Sequence, residues 1–94
     1  MCATKVEGEK NDHKVMLYTL STCAWCKAMK KYLEDNGIEY EYMNLDTCTM
    51  EERIEAGKKL TEKKAPIGVP LGIVDDEVII SGHDLERYRE VLGL

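Results

Sequence analysis

Residues 18–36, YTLSTCAWCKAMKKYLEDN, decide how this chain folds. The left end of the stretch closes an apolar run, KVMLYTL at 14–20, which mixes β-branched, aromatic and aliphatic residues without strict alternation, as a strand buried on both faces does. Ser21 and Thr22 follow, either of them able to cap a helix, and then Cys26, Met29, Leu33 and Asn36 recur three or four residues apart. A strand therefore ends where a helix begins, and Cys23 and Cys26 stand at the junction. Asn36 and Gly37 supply the left-handed residue that commonly ends a helix.

Rightward from this stretch, IEYEYMNL at 38–45 sets Ile38, Tyr40 and Tyr42 against Glu39 and Glu41, a strand pattern. Thr49 and Glu52 form a capping-box pair ahead of EERIEAGKKLTEKK, a predicted helix with Met50, Ile54 and Leu60 as its inward positions. VPLGIVDDEVIISG predicts two short strands, 71–74 and 77–80, around a tight turn at Asp75 and Asp76. HDLERYREVLGL places Leu85, Tyr88 and Val91 or Leu92 on one helical face, with Gly93 as the stop. Leftward, residues 1–12 are polar and without periodicity, so a poorly ordered tail is expected there, with a single domain over 13–94. The order is β-α-β-α-β-β-α, an α/β domain without internal repeats.

Composition narrows the function. A length of 94 residues suits one hydrophobic core and is too short for two. With 18 acidic against 13 basic residues, the net charge of −5 argues against a nucleic-acid partner, which needs a positive surface. The apolar runs are too short to span a bilayer, and the opening MCATKVEGEKND lacks the apolar core of a signal peptide, so no membrane partner and a cytoplasmic location are expected. Of the four cysteines only Cys23 and Cys26 lie close together; Cys2 and Cys48 stand alone, so a disulfide scaffold is not expected.

A thiolate attacks a disulfide and a thiol does not, so a catalytic cysteine needs surroundings that favour its anion. The first turn of a helix provides them, through unpaired N–H groups and the positive end of the helix dipole. Cys23 is expected there as the attacking thiol, with Thr22, Lys27 and Lys30 adding to the stabilising field. Two intervening residues bring Cys26 about one helical turn away, in reach of a mixed disulfide on Cys23. The same C-x-x-C could be half of a zinc site, but that needs two more ligands, and Cys48, His13 and His83 are scattered along the sequence. Cys48 reads more readily as a small buried hydrophobe than as a third redox thiol. A metal or iron–sulfur carrier remains the alternative function. An interaction domain with idle cysteines is the third.

The element order, with C-x-x-C at the first strand-to-helix junction, resembles the thioredoxin fold in its shorter form, that of glutaredoxins. The resemblance covers about residues 14–92, carried by YTLSTCAWCKAMKKYLEDNGIEYEYMNLD, by Val69-Pro70 before the third strand and by SGHDL before the last helix. It implies a three-layer α/β/α sandwich with a four-stranded mixed sheet, and a thiol–disulfide oxidoreductase with no cofactor. By resemblance Pro70 is cis and faces the reactive sulfur, Val69 offers its backbone to an extended substrate, and Trp25, Gly82 and Asp84 complete the substrate site. Disulfide-containing proteins are the implied substrates of a monomer. Three positions depart from the family pattern: Ala24 stands where proline is frequent, Trp25 where many members have tyrosine, and Leu20 where glutathione-using members commonly place a lysine. Ser81 also replaces the first of two glycines. Ala24 and Trp25 bear on redox potential and substrate fit, whereas Leu20 and Ser81 point away from glutathione as main reductant. The implied donor is an upstream reductase, thioredoxin reductase-like or ferredoxin-linked, or else glutathione.

Overall fold

Alternation along one central strand explains the layering. In β2 (Val15–Thr19), Val15 and Leu17 point to one side of the sheet and Met16 and Tyr18 to the other, because successive side chains of a strand face opposite ways. Both faces are covered, which is why the run lacks polar alternation. The computed structural model describes residues 2–66 and 68–94. Around β2 it contains β1 (Thr4–Val6), α1 (Ala24–Asp35), β3 (Tyr40–Asn44), a 3-10 turn (Leu45–Thr47), α2 (Met50–Glu62), β4 (Leu71–Val74), β5 (Val78–Ser81) and α3 (Leu85–Leu92).

The strands form one sheet in the order β1-β3-β2-β4-β5, with β2 and β3 parallel and every other pair antiparallel. Met29 and Leu33 of α1 and Tyr88 and Leu92 of α3 pack with Val15, Leu17, Tyr40, Val74 and Ile80 on one face. Ala56 of α2 packs with Tyr18, Leu71 and Ile73 on the other. This is the expected three-layer sandwich. The close fit of α3 needs Gly72, where a Cβ would lie 2.0 Å from the Tyr88 hydroxyl. In the three-residue β4–β5 loop Asp75 and Asp76 both adopt left-handed backbone, with φ of 54° and 59°, and the Glu77 N–H donates to the Val74 carbonyl at 3.1 Å. The Asp75 carboxylate accepts the Lys14 N–H at 2.8 Å and pairs with the His13 ring at 2.8 Å, tying the entry to β2 onto that turn.

Two expectations are corrected. The sheet has five strands rather than four, because Thr4, Lys5 and Val6, in the segment read as a tail, pair with Tyr42, Glu41 and Tyr40. Backbone pairing continues beyond the strand, with Lys10 N–H donating to the Gly37 carbonyl at 2.8 Å and Glu39 N–H to that of Lys10 at 2.9 Å. Such an edge is held by main-chain bonds and one half-buried valine, which leave no hydrophobic period in the sequence. The second correction concerns α2. Its capping box is present, yet Met50 and Ile54 are 74% and 54% exposed. The buried side is that of Ala56, with Leu60 partly buried, since the bulky Tyr18, Leu71 and Ile73 leave room there only for a small residue. No helix among the described residues is long and apolar enough to cross a membrane.

Candidate active site

β2 ends at Thr19, and the chain turns at Leu20, whose carbonyl accepts the Cys23 N–H at 3.2 Å. The helix cap is Cys23 itself rather than Ser21 or Thr22: its backbone is extended and its Sγ accepts the Cys26 N–H at 3.2 Å. The sulfur lies at the first turn, where unpaired N–H groups and the positive end of the helix dipole favour negative charge. Ser21 is engaged elsewhere, donating its N–H at 2.9 Å and its hydroxyl to the Asp46 carboxylate. Thr22 is exposed.

Cys23 and Cys26 are both free thiols, Cys23 half-exposed and Cys26 wholly buried. The Cys23 thiol is held below the ordinary thiol range, first by the hydrogen bond from the Cys26 side chain, then by the N–H groups of Cys26 and Trp25 and the charge of Lys30. Cys26 is pushed up to about 11, first by burial and then by its bond to Cys23. Environment thus pushes two identical groups apart, Cys23 toward its anion and Cys26 toward its acid. Of the two lysines considered from sequence, Lys30 is the one whose charge acts on Cys23; Lys27 lies exposed and acts on Lys30 instead. Lys30 is fixed from β3: its Nζ donates to Asn44 Oδ1 at 3.1 Å and sits 3.9 Å from the centre of the Tyr42 ring.

Beside the helix start, Trp25, Val69, Pro70, Gly82 and His83 line a cavity of about 280 Å³. Trp25 is 64% exposed and its ring lies 5.0 Å from that of His83, tilted by 45°. The Val69–Pro70 bond is cis, and the Pro70 carbonyl accepts the Gly82 N–H at 2.8 Å, joining the two loops that form the wall. Four of the residues singled out from sequence therefore converge. Asp84 does not join them: its carboxylate accepts the Arg87 N–H at 3.2 Å as the cap of α3. His83 was missed as a wall residue, since nothing local distinguishes it, although it follows Gly82 directly.

The remaining cysteines correct another expectation. Cys2 and Cys48 form a disulfide across a sequence separation of 46, joining the chain before β1 to the residue after the 3-10 turn. Cys48 is therefore neither a free redox thiol nor a free ligand. Among the described residues no three His, Cys, Asp or Glu side chains gather as a metal site requires.

Comparison with known proteins agrees with this geometry. Residues 15–79 match the family model for glutaredoxin. Glutaredoxin 1 of Rickettsia felis is 31% identical over 64 residues, covering 68% of this chain but 60% of the relative's own length. The crystal structure of the glutaredoxin from Methanosarcina mazei superposes with a TM-score of 0.88 at 34% identity, covering 100% of this chain and 90% of that one. Methanosarcina acetivorans methanoredoxin superposes with a TM-score of 0.83 at 37% identity, over 89% of this chain and 88% of its own.

Proposed function

Because this chain belongs to the glutaredoxin family of thiol–disulfide redox proteins, we propose that it reduces protein disulfides by a dithiol mechanism in which Cys23 attacks and Cys26 resolves. One observation carries the reading: the Cys23 sulfur caps α1, is reachable from solvent and is held toward its anion, while Cys26 is buried behind it and held toward its acid. In the first step the Cys23 thiolate bonds to one sulfur of the target disulfide, and the other sulfur leaves with the electron pair. In the second, Cys26 displaces the first from Cys23, leaving a Cys23–Cys26 disulfide and a reduced target. The cavity walled by Trp25, Val69, Pro70, Gly82 and His83 receives the target segment in this reading, with the Val69 backbone open to strand-like pairing. Thr22 and Lys27 are left as rim residues, and Asp84 acts only by holding the start of α3.

The test is thiol counting with trapping. Oxidised protein should lose Cys23 and Cys26 to alkylation and regain both with dithiothreitol. Cys26→Ser should accumulate a mixed disulfide with its target, and absence of any adduct counts against Cys26 as resolver.

The reductant in this reading is an upstream reductase, thioredoxin reductase-like or ferredoxin-linked, serving a cytoplasmic monomer. Leu20 cannot make the charged bond to a carboxylate that a lysine makes, a bond worth about 1.5–3 kcal/mol, or roughly ten- to a hundredfold in affinity. Leu20→Lys should accordingly raise turnover with glutathione and leave dithiothreitol-driven turnover unchanged. Efficient reduction of the wild-type disulfide by glutathione, without gain in the variant, overturns this choice of donor.

A further inference from the structure

Cys26 poses a problem that the dithiol reading leaves open. To resolve a mixed disulfide it must become a thiolate, yet it is wholly buried at the base of α1. Once Cys23 is bonded to the target, its negative charge no longer opposes a second anion, but the burial remains. A cation close to Cys26 is what the step needs.

Lys30 lies one helical turn beyond Cys26 on the same side of α1, since residues four apart are neighbours on a helix surface. Its ammonium is held there from the sheet. Asn44 Oδ1 accepts its proton at 3.1 Å, and the face of Tyr42 lies 3.9 Å away. The Asn44 oxygen is itself fixed by the hydroxyl of Thr19, a fully buried residue at the end of β2. An exposed surface lysine has no such anchors. We propose that Lys30 is the cation that brings Cys26 to its thiolate in the resolving step, and that Asn44 and Tyr42 of β3 are positioning residues which fix its ammonium.

The groups facing these two residues support the assignment. Cys26 sees Cys23 and Lys30 from α1 and Tyr88 from α3, and burial keeps the Tyr88 phenol protonated. Lys30 sees Cys26, Lys27, Cys23 and Glu34 along α1, with Tyr42 and Asn44 across from it. Lys30 is thus a cation whose charge favours the Cys26 anion. In the step, the Cys26 S–H bond breaks and its proton passes to water. The Cys26–Cys23 bond forms as the bond from Cys23 to the target breaks, and the target sulfur leaves with the electron pair and takes a proton from water. The protein dithiol is oxidised by two electrons, and the target disulfide is reduced by the same two.

This rests on the dithiol reading, and one experiment separates the two. Reduced Cys23 and Cys26 mixed with 5,5′-dithiobis(2-nitrobenzoate) should release one thionitrobenzoate as Cys23 attacks and a second as Cys26 resolves, while the bridged Cys2 and Cys48 stay silent. A wild type that releases only the first sinks the dithiol reading before Lys30 matters. With both phases present, Lys30→Met should slow the second about tenfold at neutral pH and raise its pH midpoint by about one unit, the equivalence of one pKa unit with a factor of ten. Asn44→Leu should act in the same direction more weakly, and Lys30→Arg, which keeps the charge and can still stack on Tyr42, should restore most of the rate. An unchanged second phase in Lys30→Met overturns the proposal, as does an arginine variant no better than methionine. Because Lys30 is not a core residue, its variants test the idea even if Asn44→Leu fails to fold.

Discussion

Two cysteine pairs share this small fold and have opposite designs. Cys23 and Cys26 are three residues apart, unbridged, and set on the first turn of a helix. Cys2 and Cys48 are 46 residues apart and bridged, and they join an edge strand to a turn. Local geometry gives the first pair its character: a neighbouring sulfhydryl and backbone N–H groups favour the anion of Cys23. Tertiary geometry gives the second pair its character, because closing a long loop restricts the unfolded chain. The two pairs thus differ in what sets them: neighbours along the chain for Cys23 and Cys26, the folded sheet for Cys2 and Cys48.

The strongest way to break this contrast is to exchange the consequences of mutation. Cys23→Ser should abolish disulfide reductase activity, whereas Cys2→Ser should keep activity close to wild type in an insulin-reduction assay. Substantial turnover by Cys23→Ser would mean that the reagent has been misassigned.

Stability should give the mirror image. Loss of the bridge in Cys2→Ser should lower the unfolding free energy by roughly 2–4 kcal/mol, the typical range for a disulfide, whose loop-entropy value for a separation of 46 lies at the upper end. Each of those kcal/mol corresponds to about 4–8 °C in Tm for a domain of this size. Urea unfolding of Cys2→Ser that coincides with wild type would remove the staple reading.

The contrast sharpens in the pH dependence of alkylation. Because the Cys23 pKa is lowered, its thiolate persists below the pH at which an ordinary thiol protonates, and reactivity falls only as pH drops through that lowered value. Cys26, at about 11, should stay inert to iodoacetamide across the neutral range. In Cys26→Ala the Cys23 profile should move to higher pH, since the bond from the Cys26 side chain is the largest cause of its shift. A profile that does not move would transfer the effect to the backbone N–H groups.

The smallest effect is expected at Tyr88, a buried residue of α3. Its hydroxyl is buried and makes no hydrogen bond among the described residues. Tyr88→Phe should leave activity unchanged and stabilise the fold by up to about 1 kcal/mol, since an unpaired buried polar group is removed. A clear loss of stability on chemical denaturation would mean that the hydroxyl has a partner in solution.

Much of this protein is written locally in its sequence. The central strand, the helix carrying C-x-x-C, the Thr49–Glu52 capping box and the Asp75-Asp76 turn each depend on residues within a few positions of one another, so pattern and spacing reveal them. The Cys23–Cys26 pair belongs to this class, since a helix start and a separation of three residues are both local properties. Tertiary structure alone decided the rest: that Thr4–Val6 extends the sheet, that Cys2 meets Cys48, that Ala56 rather than Met50 and Ile54 faces inward, and that His83 meets Trp25 and Asn44 holds Lys30. Each of these joins residues far apart along the chain, through backbone pairing, shape or one polar contact. Such contacts leave no period or motif behind, because what selects them is the space that other elements leave open once the sheet has formed.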